Sequence, residues 1–104
     1  MGLGPVPAVR KALQHAGMTV ADLDLIELNE AFAAQAIGCM RKLDIATDKP
    51  NELGSGISLG HPIGATGARQ MVSGMYQMQR KGYNSGLITM CIGGGMGMAM
   101  IIEH

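Results

Sequence analysis

Aromatic side chains are scarce: the 104 residues include two tyrosines, one phenylalanine and no tryptophan. A core must therefore be built from aliphatic residues and from ten methionines, whose flexible thioethers fill irregular gaps. Cysteine is equally sparse. Cys39 and Cys91 are too few for a disulfide framework, and free thiols in a reducing, cytoplasmic compartment are the simpler expectation. Charge is low and balanced, with eight basic and eight acidic residues, which removes the electrostatic reason to expect nucleic acid or an anionic membrane as partner. No apolar run approaches the ~20 residues of a membrane span, because the longest ones break at glycine or charge. Met1-Gly2-Leu3-Gly4-Pro5 has neither the basic nor the apolar region of a signal peptide, and Val6 stands where a myristoylation signal wants Ser or Thr. No methionine pairs with Cys or His at ligand spacing and no His/Cys cluster has zinc spacing, so no metal is expected.

What the chain does have is 47% apolar content, enough for a packed core in one small domain over residues 1–104, with no repeat and no linker. Pro5 and Pro7 open a helix in which Val6, Val9, Leu13 and Ala16 share a face, and Gly17 ends it. Thr19 is placed to cap a short turn through Asp22. Asp24-Leu25-Ile26-Glu27-Leu28 alternates polar and apolar, as a short strand does. A helix over residues 30–43 would align Phe32, Ala36, Met40 and Leu43, with Arg41 and Lys42 favouring its C-terminal end. A polar loop over 44–53 contains Pro50, and the glycine-rich stretch 54–60 reads as irregular or strand-like. The spacing predicts a third helix over 65–81, burying Ala68, Met71, Val72, Met75 and Met78 and ending at Gly82. Residues 87–92 read as a buried strand. Gly93-Gly94-Gly95 turns the chain into a returning strand over 97–102, a hairpin that glycine permits at positive φ.

Three polar groups stand at the ends of these segments: Asn29, His61 and Cys91. An amide, an imidazole and a thiol are the groups that acyl-thioester chemistry uses to move protons and to hold an oxyanion. In open α/β sheets, sites gather at the carboxyl ends of strands, where all three are expected. Pro62 pushes His61 out of the helical region, beside the free backbone donors of the following helix, where the ring can act as base or hydrogen-bond donor; a loop histidine with one structural bond fits the same pattern. Cys91 precedes a glycine turn whose N–H groups can nest a thiolate or an oxyanion; a buried small hydrophobe fits equally. Asn29 is either a site residue or the N-cap of the helix after it. Cys39, mid-helix on the apolar side, reads as core. A phosphate loop is excluded because no Gly-Lys-Ser/Thr follows residues 60–67, and residues 93–97 lie in a hairpin rather than in the strand-to-helix turn of a dinucleotide site.

Asn29-Glu30-Ala31-Phe32, Gly60-His61-Pro62-Ile63-Gly64-Ala65-Thr66-Gly67-Ala68-Arg69 and Cys91-Ile92-Gly93-Gly94-Gly95-Met96-Gly97 resemble three signature segments of the thiolases, in family order and at family-like separations. The resemblance covers nearly the whole chain. One departure is Gly54-Ser55-Gly56, where the family more often reads Gly-Gly-Ala.

The resemblance implies an α/β fold: a thiolase-like C-terminal domain with a mixed sheet covered by helices, incomplete because the family's first strand is missing. A truncated sequence or one piece of a split enzyme is therefore expected. It implies a reversible Claisen reaction on coenzyme A thioesters, of the acetyl-CoA acetyltransferase or 3-ketoacyl-CoA thiolase type, in fatty acid metabolism. Cys91 would exchange the α-proton of acetyl-CoA. His61 would activate a separate nucleophilic cysteine and help hold the thioester oxygen, with Asn29 positioning a water that completes that hole. The Gly93 N–H would serve a second oxyanion hole, and Phe32 would lie near the pantetheine arm. No cofactor is implied, the coenzyme A thioester being substrate. The implied partners are an N-terminal half carrying the acyl-accepting cysteine and, in the intact enzyme, further copies in a homo-oligomer. The isolated chain would be inactive. The competing expectation is a non-catalytic, thiolase-like module that binds coenzyme A or a partner.

Overall fold

In the computed structural model, which describes residues 1–104, helix α1 (Pro5–Ala16) starts at a proline and stops at Gly17, whose φ is 65°. Proline lacks only an N–H that the first helical turn leaves unpaired in any case. Val6, Val9 and Leu13 are buried as their spacing predicts, whereas Ala16 in the last turn is exposed. The chain then makes a short 3-10 turn (Val20–Asp22), held by the Asp22 carboxylate, which accepts from the Thr19 N–H at 2.7 Å and the Thr19 hydroxyl at 2.8 Å.

Strand β1 (Leu25–Leu28) follows, and all four of its residues are buried. The polar position of the alternation is not a solvent face, since Glu27 is only 1% exposed. Helix α2 (Ala33–Lys42) begins three residues later than its periodicity predicts. The cause is tertiary: the Glu30 N–H is taken by the Ser55 hydroxyl at 3.3 Å, and Phe32 is extended at φ −146° and ψ 147°. Ala36, Met40 and Leu43 face the core, but Phe32 does not share their face and is 60% exposed. Residues 54–60, expected to be irregular or strand-like, contain a one-turn helix α3 (Gly56–Leu59). Two serines decide this locally, Ser55 at the N-cap and Ser58 within the turn: the Ser58 Oγ accepts from the Ser55 N–H at 3.1 Å.

Helix α4 (Thr66–Lys81) ends at Gly82 as expected, but its buried stripe is not the one that its apolar pattern indicates. Thr66, Gln70, Gly74, Gln77 and Met78 face inward, while Ala68, Val72 and Met75 are exposed and Met71 is only half-buried. Of the five expected core positions only Met78 is buried. The period is right and the phase is wrong. Gly74 lets the helix lie close to the sheet, where an added methyl would sit 3.1 Å from both Ile88 and Leu25.

The sheet has order β1-β2-β3, with β2 (Ser85–Gly93) parallel to β1 and antiparallel to β3 (Met96–Glu103). It is mixed and flanked by helices, as expected. Ile26, Leu28 and Leu87 meet α1 and α2 on one face, in a cluster with Val9, Leu13, Ala36 and Cys39. Cys39 is fully buried, as its core reading requires. On the other face α4 covers β1 and β2 but leaves Met98 and Met100 of β3 exposed.

The N-terminal segment locks onto the hairpin through glycine. A methyl on Gly97 would sit 2.2 Å from the Gly4 carbonyl oxygen, backbone against backbone. Because Gly97 pairs with Cys91, this contact also fixes the strand end that carries the thiol. Gly97→Ala is expected to destabilise the chain by roughly 1–3 kcal/mol, the usual range for overpacking, and denaturant titration against wild type checks this. A midpoint within error of wild type would show that the contact is slack.

Candidate active site

Asn29 is the first residue past β1, and its N–H bonds the Thr89 carbonyl at 3.0 Å, extending the ladder by one step. The outer edge of β1 is closed by a loop rather than by a strand. Asn51 accepts the Leu28 N–H at 2.9 Å and donates to the Leu28 carbonyl at 2.8 Å. The Ser55 hydroxyl donates to the same carbonyl at 3.3 Å. These bonds fix the backbone before Asn29, the Glu30 N–H bond to the Ser55 hydroxyl fixes it after, and Asn29 itself is fully buried. The N-cap alternative is thereby removed: α2 starts four residues later, and the amide points elsewhere.

It points at His61. The amide nitrogen lies 3.5 Å from Nδ1 and 3.4 Å from Nε2, so it stands before the ring without sitting on either nitrogen. Nδ1 is bonded instead to the Thr66 hydroxyl at 2.7 Å. Thr66 opens α4 and is fully buried. The turn from Gly60 to Thr66 thus folds the imidazole back onto the helix start.

Cys91 lies on β2, two residues beyond the Thr89 that receives Asn29, and is half-buried. The strand bulges between Cys91 and Gly93, and Gly94 and Gly95 turn the chain at φ 58° and 77°. Asn29 and Cys91 therefore lie near the carboxyl ends of neighbouring parallel strands, and His61 meets Asn29 there. Asn29 and His61 are in contact; no hydrogen bond joins the Cys91 thiol to either. Gly93 closes the strand at φ 90°, and Phe32 is exposed at the start of α2.

Beneath the site, on the α4 side of β1, polar groups are buried without partners. They include both Glu27 carboxylate oxygens, Nε and Nη2 of Arg69, and the amide groups of Gln77. Burial pushes the Glu27 carboxyl up to about 7; Arg69 opposes the shift, and Glu30 and Glu52 add to it. Sequence reasoning passed over Thr66, Ser55, Asn51 and Glu27. Only Thr66 carried a usable signal, a hydroxyl in the first helical turn after the histidine.

The profile of the family described as "Thiolase, C-terminal domain" matches residues 1–104. The chain belongs to the thiolase C-terminal domain family. This thiolase domain is 58% identical over 104 residues to an acetyl-CoA acetyltransferase of Chromobacterium violaceum and 55% identical over 104 residues to one of Escherichia coli. It is 51% identical over 105 residues to the peroxisomal 3-ketoacyl-CoA thiolase B of Mus musculus. These matches cover all of this chain but only 26%, 26% and 25% of the respective relatives, so the domain spans about a quarter of their length. The crystal structure of the Bacillus anthracis acetyl-CoA acetyltransferase superposes with a TM-score of 0.95 at 48% identity, over 98% of this chain and 26% of that one. The thiolase domain contains no group of three His, Cys, Asp or Glu residues able to hold a metal, and no helix long and apolar enough to cross a membrane.

Proposed function

We propose that this domain supplies Asn29, His61 and Cys91 to a reversible Claisen condensation and thiolysis of acetyl-CoA with acetoacetyl- or 3-ketoacyl-CoA. The observation that carries the reading is the approach of the Asn29 amide to the His61 ring, at the carboxyl end of β1 and beside the parallel strand β2 that carries Cys91 two residues before its last residue. The α-proton of a thioester is weakly acidic, so its removal needs a base and stabilisation of the enolate oxygen. Cys91, as thiolate, takes the proton in condensation and returns it in cleavage. His61 accepts the proton of a nucleophilic cysteine on the N-terminal half and then faces the thioester oxygen as a donor. The buried Asn29 Oδ1 has no partner within the chain, which suits it to hold a water at that oxygen. Each such donor is worth roughly 2.7–4 kcal/mol in the transition state. The Gly93 N–H serves the acyl-enzyme carbonyl, and exposed Phe32 lies along the pantetheine arm.

The N-terminal half has a surface to cover. Val72, Met75 and Tyr76 on α4, with Ile102 on β3, line an apolar trough of about 600 Å³ on the side where α4 shows its apolar stripe. The reading extends to a cytoplasmic homo-oligomeric enzyme of fatty acid metabolism, with coenzyme A thioesters as substrates and no further cofactor.

The expected result is no cleavage of acetoacetyl-CoA by the chain alone and restored cleavage once a thiolase N-terminal half is added. Turnover by the isolated chain would contradict the proposal. Tight coenzyme A binding by calorimetry without restored turnover would favour the non-catalytic module instead.

A further inference from the structure

Three heavy atoms near His61 share too few protons to be arranged freely. The Thr66 Oγ1 lies 2.7 Å from His61 Nδ1 and 3.1 Å from the Pro62 carbonyl oxygen. Thr66 is fully buried, so bulk water does not serve its hydroxyl. Two oxygens at 3.1 Å repel unless a proton lies between them, and only the threonine has one to give. If that proton points to Pro62, the contact to Nδ1 is attractive only when Nδ1 carries its own proton. If it points to Nδ1, the threonine lone pairs face a carbonyl that already accepts the N–H groups of Ala65 at 2.7 Å and Thr66 at 2.9 Å. The first arrangement makes both contacts bonds; the second leaves one repulsive.

We infer that Thr66 is a positioning residue that holds His61 as the Nδ1–H tautomer, leaving Nε2 unprotonated and free to act as a base. The relay runs from His61 Nδ1–H to Thr66 Oγ1, and from the Thr66 O–H to the Pro62 carbonyl. Its anchor is the first turn of α4, where Thr66 is the fifth residue after the histidine. The Asn29 amide nitrogen, a donor 3.4 Å from Nε2, is compatible with a ring nitrogen that carries no proton there. A ring held this way can take a proton on Nε2 without moving, since the bond at Nδ1 is a donor bond before and after the transfer. What Nε2 does with that proton rests on the acyl-transfer reading above; the tautomer itself does not.

Nitrogen-15 NMR of the imidazole, recorded without substrate on the 104-residue chain, reads the tautomer directly. Wild type is expected to show the proton on Nδ1. Thr66→Ser, which keeps the hydroxyl, is expected to match wild type, and Thr66→Val to shift population to the Nε2–H form. In the complex with a thiolase N-terminal half, Thr66→Val is expected to lower turnover at least about tenfold, part of the roughly 10²–10⁴-fold that a positioned base contributes, with Thr66→Ser restoring it. A wild-type proton on Nε2 overturns the inference whether or not any variant folds. So does an unchanged tautomer in a folded Thr66→Val chain. A complex that never turns over, combined with the expected NMR pattern, sinks the acyl-transfer reading and leaves the tautomer assignment standing.

Discussion

Replacing Cys91 by alanine in the complex with an N-terminal half is expected to reduce acetoacetyl-CoA turnover by about 10²–10⁴-fold, the contribution of a positioned proton-transfer group, or more where no water substitutes. It is also expected to stop exchange of the acetyl-CoA methyl hydrogens with deuterium from solvent. The fold should survive, because the thiol is half-buried, is hydrogen-bonded to neither Asn29 nor His61, and stands opposite Gly97, where no side chain depends on it. The exchange assay separates two roles. If Cys91 is the base for the α-proton, exchange is lost even though His61 and the nucleophilic cysteine remain able to form an acyl-enzyme. If Cys91 only fills space, both exchange and turnover persist, and the reading given to the glycine turn fails. Asn29→Ala should behave differently: it removes a group that orients a donor while the base stays in place, so exchange should slow but not vanish.

The sequence revealed the parts of this fold that glycine and proline punctuate. Pro5 and Gly17 bracket α1, Gly82 ends α4, and Gly94 and Gly95 turn the β2–β3 hairpin, because each of these residues forces or permits a local backbone state irrespective of its surroundings. What the sequence concealed depends on which surface lies opposite. The apolar stripe of α4 has a clear helical period, but it points away from this chain's own sheet, and Val72, Met75 and Tyr76 are exposed. Thr66, Gln70 and Gln77 face that sheet instead, and no periodicity argument ranks glutamine above methionine for burial. The delayed start of α2 and the short α3 were hidden for a related reason, since Ser55 and Ser58 act through hydrogen bonds to backbone groups. At the site, the three candidate groups could be named from their motifs. The contact of Asn29 with His61 spans 32 residues of sequence and rests on the Asn51 and Ser55 bonds to β1, which leave no pattern along the chain.

Glu27 gives the second large effect, and its sign follows from its burial. The carboxylate sits on the α4 side of β1 with Arg69 near it but not bonded, and with Glu30 and Glu52 as the other charges acting on it. In the folded chain its pKa is raised from 4.5 to about 7, so between these values the folded state holds a proton that the unfolded state has released. Stability is therefore expected to be greatest, as far as this group is concerned, below pH 4.5, and to fall as pH rises to about 7. The difference amounts to roughly 3 kcal/mol, at 1.36 kcal/mol for each pKa unit. Glu27→Gln keeps the shape and removes the titration. The variant should match wild type near pH 4, exceed it by roughly 3 kcal/mol at pH 8, and show a flat profile between. Asp22, Asp24 and Glu52 do not confuse the comparison. Their hydrogen bonds lower their pKa values, so the stability they contribute is lost on the acid side of this window, equally in both proteins. Denaturant titrations of the two chains at a series of pH values decide the matter. Parallel profiles would mean that the orphaned guanidinium of Arg69 closes on Glu27 in solution and holds it ionised. The polar interior under Asn29 would then be a buried ion pair, whose disruption by Glu27→Gln would lower stability at every neutral pH instead of raising it.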